Sequence, residues 1–178
     1  VLERLDAVRK AQLVEAGVAL RESRVRYARG TLVVWWPESS PGIRSLEELA
    51  RAEVRRVALA NPEHAPYGRA AREALRSAGL WDQVAPKAVY AGTVQQAQVF
   101  AETGNAEVAL VAGSLVRGRG RWLPVDPRLH PPQEQAAVVC SRSGEREAAA
   151  AFLALLMEEE GQAVLARHGL ASPGRAVA

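Results

Sequence analysis

The sequence predicts an α/β fold with largely parallel strand pairing, and three observations carry that expectation. Short apolar, β-branched stretches alternate with helical stretches along most of the chain. The helical stretches stop at Gly79, Gly104 and Gly169, and glycine tolerates the left-handed conformation that ends a helix. One strand, "EVALVAG", is apolar on both faces, as a strand covered on both sides must be.

Composition narrows the class. The chain has 178 residues, enough for one ordinary domain or two small lobes, and hydrophobic residues make up 48% of it. Aromatics are only 5%, so the core must rest on Ala, Val and Leu. The 23 basic residues stand against 20 acidic ones and the two signs are mixed along helices, a pattern that does not call for nucleic acid. The single cysteine, Cys140, excludes an internal disulfide; its setting, "AAVVCS", reads as a buried strand. No apolar run approaches the ~20 residues of a membrane span. The chain opens with Val1 in the middle of a helical pattern, so an N-terminal segment is expected to be missing.

The elements follow in order. Leu2, Leu5, Val8 and Leu13 recur at helical spacing, with Gly17 as the stop. "GTLVVWWP" reads as a strand that Pro37 ends. Ser45 and Glu48 make a capping-box pattern for a short helix, "SLEELAR". "VRRVALA" is a strand, and a helix runs from about Tyr67 to Ser77. "KAVYA" is a strand, and "TVQQAQVFAETG" a helix with Thr93 as N-cap. "EVALVAG" follows, then a long connection with a short strand at "RWLPV", then a strand at "QAAVVCS". The last stretch, "EREAAAAFLALLMEEEGQAVLARHGL", is helical in two pieces.

Ligands of such folds bind past the carboxyl ends of strands, where helices begin. Two junctions qualify: Asn61 to Gly68, "NPEHAPYG", and Tyr90 to Gln96, "YAGTVQQ". A helix N-terminus offers unpaired N–H groups and partial positive charge, which suits a small anion. Pro66 starts the first helix without wasting an N–H. Tyr67 then offers a backbone amide and Gly68 removes side-chain bulk. Val94, after Thr93, offers the second amide. Ordinary turn chemistry and capping would use the same residues.

Other chemistries have little behind them. His64, His130 and His168 are far apart and make no metal-ligand spacing with Cys140, so no metal is expected to be held by side chains. No nucleophile elbow, phosphate loop or dinucleotide fingerprint is present, and nothing by motif pairs Ser114 with a base; the chain does not read as an enzyme and no cofactor is expected. "RGRGR", Arg117 to Arg121, is a solvated basic loop without the aromatic platform of a nucleic-acid site. Trp35, Trp36, Trp81 and Trp122 read as packing residues rather than ligand contacts.

Four stretches, "NPEHAPYGRAAREALRSAGLWD", "YAGTVQQAQVFAETGNAEVALVAGS", "LHPPQEQAAVV" and "AAAFLALLMEEEGQAVLARHGL", resemble the periplasmic molybdate-binding proteins of ABC importers, in order and over most of the chain. The resemblance implies a type II periplasmic-binding-protein fold, two α/β lobes closing around molybdate or tungstate. Residues 37–122 would form the second lobe; residues 1–36 and 123–178 would form an incomplete first lobe. It implies that Tyr67 and Val94 bind the oxyanion through backbone amides. The tyrosine that some members add to the site is replaced by Ala112, and Trp36 falls near the crossover between lobes. It further implies a monomer in the periplasm that delivers its ligand to the membrane subunits of an ABC permease. The family's N-terminal anion loops have no counterpart, so 178 residues alone should bind oxyanion weakly and be poorly soluble. An effector-sensing module of a transcription regulator shares the two-lobe architecture and is the alternative reading; a binding-incompetent fragment of the receptor is the other.

Overall fold

In the computed structural model, which describes residues 13–40 and 42–173, the apolar stretches become eight strands. They are β1 (Val25–Gly30), β2 (Leu32–Trp36), β3 (Val57–Ala60), β4 (Ala88–Ala91), β5 (Val108–Ala112), β6 (Arg121–Pro124), β7 (Gln133–Ala137) and β8 (Leu170–Ala171). The helices are α1 (Pro66–Ser77), α2 (Trp81–Val84), α3 (Val94–Glu102), α4 (Arg146–Met157) and α5 (Glu159–Arg167). The expected opening helix at Leu2, Leu5 and Val8 lies outside the described residues; residues 13–15 are helical, and Gly17 follows with φ of 70°.

Two compact units divide the chain: Val1–Gly30 with Glu134–Ala178, and Thr31–Gln133. In the second, five strands are ordered β4-β3-β5-β2-β6. The parallel pairing expected from the alternation holds for β3 with β4 and β3 with β5. It fails for β2, which runs antiparallel to both β5 and β6. This pairing also places residues 31–36 and 123–133 in this unit rather than with the first lobe, since β2 and β6 complete its sheet.

Side-chain alternation along these strands feeds two cores. Leu32, Val34, Val57, Leu59, Val108 and Leu110 face one side, where α1 packs through Tyr67, Ala70, Ala71, Ala74 and Leu75. Val33, Trp35, Ala58, Ala109 and Val111 face the other, where α3 packs through Ala97 and Ala101. The helices therefore cover opposite faces, which is why β3 and β5 are apolar throughout. Leu75 is fully buried, and burial of such a side chain contributes roughly 1.5–3 kcal/mol.

In the other unit, three strands are ordered β7-β1-β8. Strand β1 was not read from the sequence, because Arg26 and Arg29 interrupt its apolar pattern. Both arginines pair with Glu134 on β7, at 3.2 and 3.7 Å. Cys140, expected inside a buried strand, is only half-buried; it lies beyond β7 in an isolated bridge to Ala19. The C-terminal helical stretch breaks at Glu158, whose ψ of 164° is extended, and Gly169 follows α5 with φ of 80°.

Candidate functional site at the carboxyl edge of the parallel strands

Ala60 and Ala91 end β3 and β4 side by side in parallel register. Helix α1 follows the first strand and α3 the second, so both helix N-termini rise from one sheet edge. Asn61 joins them. Its N–H donates to the Ala91 carbonyl at 2.8 Å, one step beyond the ladder. Its Oδ1 accepts from the Glu63 N–H at 2.9 Å. Its carbonyl accepts from the N–H groups of His64 and Ala65, at 3.2 and 2.8 Å. One asparagine thus folds the whole "NPEHA" turn and aims α1.

The α1 ladder begins with the Arg69 N–H on the Ala65 carbonyl, 3.0 Å. Tyr67 and Gly68 stand ahead of it. The N-cap position holds Ala65, no side chain caps the helix, and its first turn has no acidic residue. Most helices fill these places with Ser, Thr, Asp or Asn and with a carboxylate nearby. Here the positive end of the dipole meets no carboxylate of its own first turn. The nearest carboxylate in sequence, Glu63, is 67% exposed and held by Arg72 at 2.8 Å.

Helix α3 is capped differently. Thr93 Oγ1 accepts from the Gln96 N–H at 3.1 Å, and Gln96 Oε1 accepts from the Gly92 N–H at 2.9 Å. The ladder begins with Ala97 on the Thr93 carbonyl, 3.1 Å. The cap satisfies the third amide of the helix and leaves those of Val94 and Gln95 ahead of the ladder. Again no acidic residue stands in the first turn.

The structure reassigns three residues. Gly68 does not open room for a ligand: a Cβ there would lie 2.8 Å from the Ala60 carbonyl carbon and 2.9 Å from that of Asn61, so glycine is what lets α1 dock on β3. Trp36 lies at the opposite edge of the sheet. Because β2 is antiparallel to β5, Leu32 sits opposite Ala112 while Trp35 sits opposite Ala109, with Trp36 beyond it. Ser45 does not cap: Leu46–Ala50 is a 3-10 turn without a side-chain cap, and Glu48 instead accepts from the Arg44 N–H at 2.9 Å and pairs with Arg51 at 2.6 Å. Of the tryptophans read as packing residues, Trp35 is buried and donates to the Arg119 carbonyl at 2.7 Å, while Trp122 is exposed. Ala112 ends β5 at the site edge and offers no hydroxyl there. Asn61, the organiser of the junction, is not among the residues that spacing alone singles out; its signal in the sequence is the Asn-x-Glu spacing of an Asx turn.

Among the described residues, no three His, Cys, Asp or Glu side chains form a group that could hold a metal ion, and no helix is long and apolar enough to cross a membrane. A sheet edge with two helix N-termini and no acidic residue in either first turn is equipped to bind a small anion.

The fold and this edge define a solute-binding protein, and the chain belongs to the bacterial extracellular solute-binding protein family, whose pattern it matches over residues 4–171. It is 35% identical to the molybdate-binding protein ModA of Rhodobacter capsulatus over 167 residues, covering 92% of this chain and 66% of that one. It is 32% identical to ModA of Azotobacter vinelandii over 173 residues, covering 92% and 67%. The chain thus spans about two thirds of the length of both relatives. The structure of the Azotobacter vinelandii periplasmic molybdate-binding protein superposes with a TM-score of 0.85 at 28% identity, covering 94% of this chain and 76% of that one. The fold is that of the type II periplasmic binding proteins.

Proposed function

We propose that this protein binds molybdate or tungstate in the periplasm and hands it to an ABC permease, with the backbone amides of Tyr67 and Val94 as ligands. The observation that carries the reading is the shared sheet edge: Ala60 and Ala91 in register, a helix opening after each, and no carboxylate in either first turn. The molybdate-binding relatives and the superposition support the choice of ion.

The chemistry agrees. Molybdate and tungstate are fully deprotonated near neutral pH and present only acceptors. Amide donors alone satisfy them. Hydrogen phosphate would bring a hydroxyl that needs an acceptor, and a buried unpaired hydroxyl is costly. Glu63, the nearest candidate acceptor in sequence, is engaged by Arg72.

Thermal unfolding of the full-length protein with molybdate, tungstate, sulfate and phosphate tests the reading. At one hundred times Kd, a bound ion should add about 2.7 kcal/mol of stability. Molybdate or tungstate should do so and phosphate should not. No stabilisation by either molybdate or tungstate would sink the proposal.

A further inference from the structure

Gln98 on α3 is only 6% exposed, and among the described residues its Nε2 has no hydrogen-bond partner. Buried carboxamide donors are almost always satisfied, and each exception calls for a reason. Gln98 stands four residues after Val94, on the same face of the helix. Side chains on a helix lean toward its N-terminus, so a long one covers the turn before its own Cα. For Gln98 that turn is the one holding the amides of Val94 and Gln95.

A second unsatisfied donor lies at the same edge. Ser114 Oγ, on the turn Gly113–Leu115 directly after β5, is buried without a partner among the described residues. Strand β5 runs parallel to β3, so this turn leaves the sheet where α1 and α3 begin. Val94 and Leu115 each pack against both cores. The cores lie on opposite faces, so residues that join them lie where those faces meet.

We propose that Gln98 is a third donor of the oxyanion site, its carboxamide N–H pointing at a ligand oxygen and adding a side-chain contact to the two backbone amides. The inference rests on the reading that Tyr67 and Val94 bind the anion. It explains a polar residue on a buried face whose neighbours are Ala97 and Ala101: the donor is unsatisfied in the chain alone and satisfied by the ion. Gln98 also supplies a contact at an edge where Ala112 offers none.

The test is Gln98→Met, which keeps the length of the side chain and removes both polar atoms, with Gln98→Leu beside it. Molybdate affinity is measured by calorimetry and ligand-free stability by urea unfolding. The expected result is an affinity about tenfold lower, with ligand-free stability equal to or above that of the parent. In the parent, the Gln98 side-chain NH2 resonances, assigned by their loss in Gln98→Met, should shift on addition of molybdate. A parent that binds molybdate, with Gln98→Met or Gln98→Leu binding equally well or with an NH2 pair that does not move, overturns this inference and leaves the proposed function standing. A parent that binds neither molybdate nor tungstate removes both.

Discussion

Gly68 sits so close to the Ala60 carbonyl that no side chain fits between α1 and the end of β3; an added Cβ would lie within 2.8 Å of the Ala60 carbonyl carbon. The contact fixes where the first helix N-terminus stands relative to the sheet. Gly68→Ala should therefore cost roughly 1–3 kcal/mol, the range for overpacking a tight contact. Urea unfolding measures it. The backbone would have to move at the junction itself, so molybdate affinity should fall as well. A fully stable Gly68→Ala protein with parental affinity would show that the helix docks in some other way.

Thr93 caps the second helix through its hydroxyl, which accepts from the Gln96 N–H at 3.1 Å. Thr93→Ala removes that acceptor and should destabilise the fold by about 1 kcal/mol. Chemical denaturation reads the loss. Thr93→Ser keeps the oxygen and should recover most of the stability.

Asp126 gives the fold a dependence on acid. The Arg128 side chain, hydrogen-bonded to its carboxylate, together with the Arg128 backbone N–H, holds its pKa down from 3.8 to about 2. The folded value lies below the unfolded one. The contribution is therefore complete above about pH 4 and disappears as pH falls through 2. Asp126→Asn should flatten that part of the profile by lowering stability near neutrality, and the two proteins should converge as pH falls through 2. Denaturant midpoints taken from pH 5 down to 2 check the sign.

Much of the second unit was legible because its signals are local. Strands β3, β4 and β5 are unbroken apolar or β-branched runs, Thr93 is an N-cap residue in a cap position, and Gly79 and Gly104 adopt φ of 69° and 76°. Tertiary partners hid the rest. Strand β1 needs Glu134, over a hundred positions away, to make its arginines acceptable. Strand β2 looks like any buried strand, and only its pairing with β5 and β6 makes it antiparallel. The Ser45–Glu48 pattern failed because Glu48 found Arg44 and Arg51 instead. At the site, Tyr67 and Val94 were readable as helix starts, since proline and threonine precede them. The purpose of Gly68 was not, because a close approach between Ala60 and a helix leaves no mark in spacing.

Val94 offers the cleanest test of an anion held at these helix N-termini. It occupies the first position of α3, where proline is tolerated. Thr93 before it has φ of −135° and ψ of 160°, a conformation that a following proline also accepts. Val94→Pro therefore deletes one amide hydrogen and leaves the helix in place, while Val94→Ala loses the packing of the side chain and keeps the amide. Calorimetric titration of both with molybdate is the decisive measurement. Val94→Pro should lose at least tenfold in affinity relative to Val94→Ala, because a charge-assisted hydrogen bond is gone. Equal affinities would show that the anion does not sit on this helix.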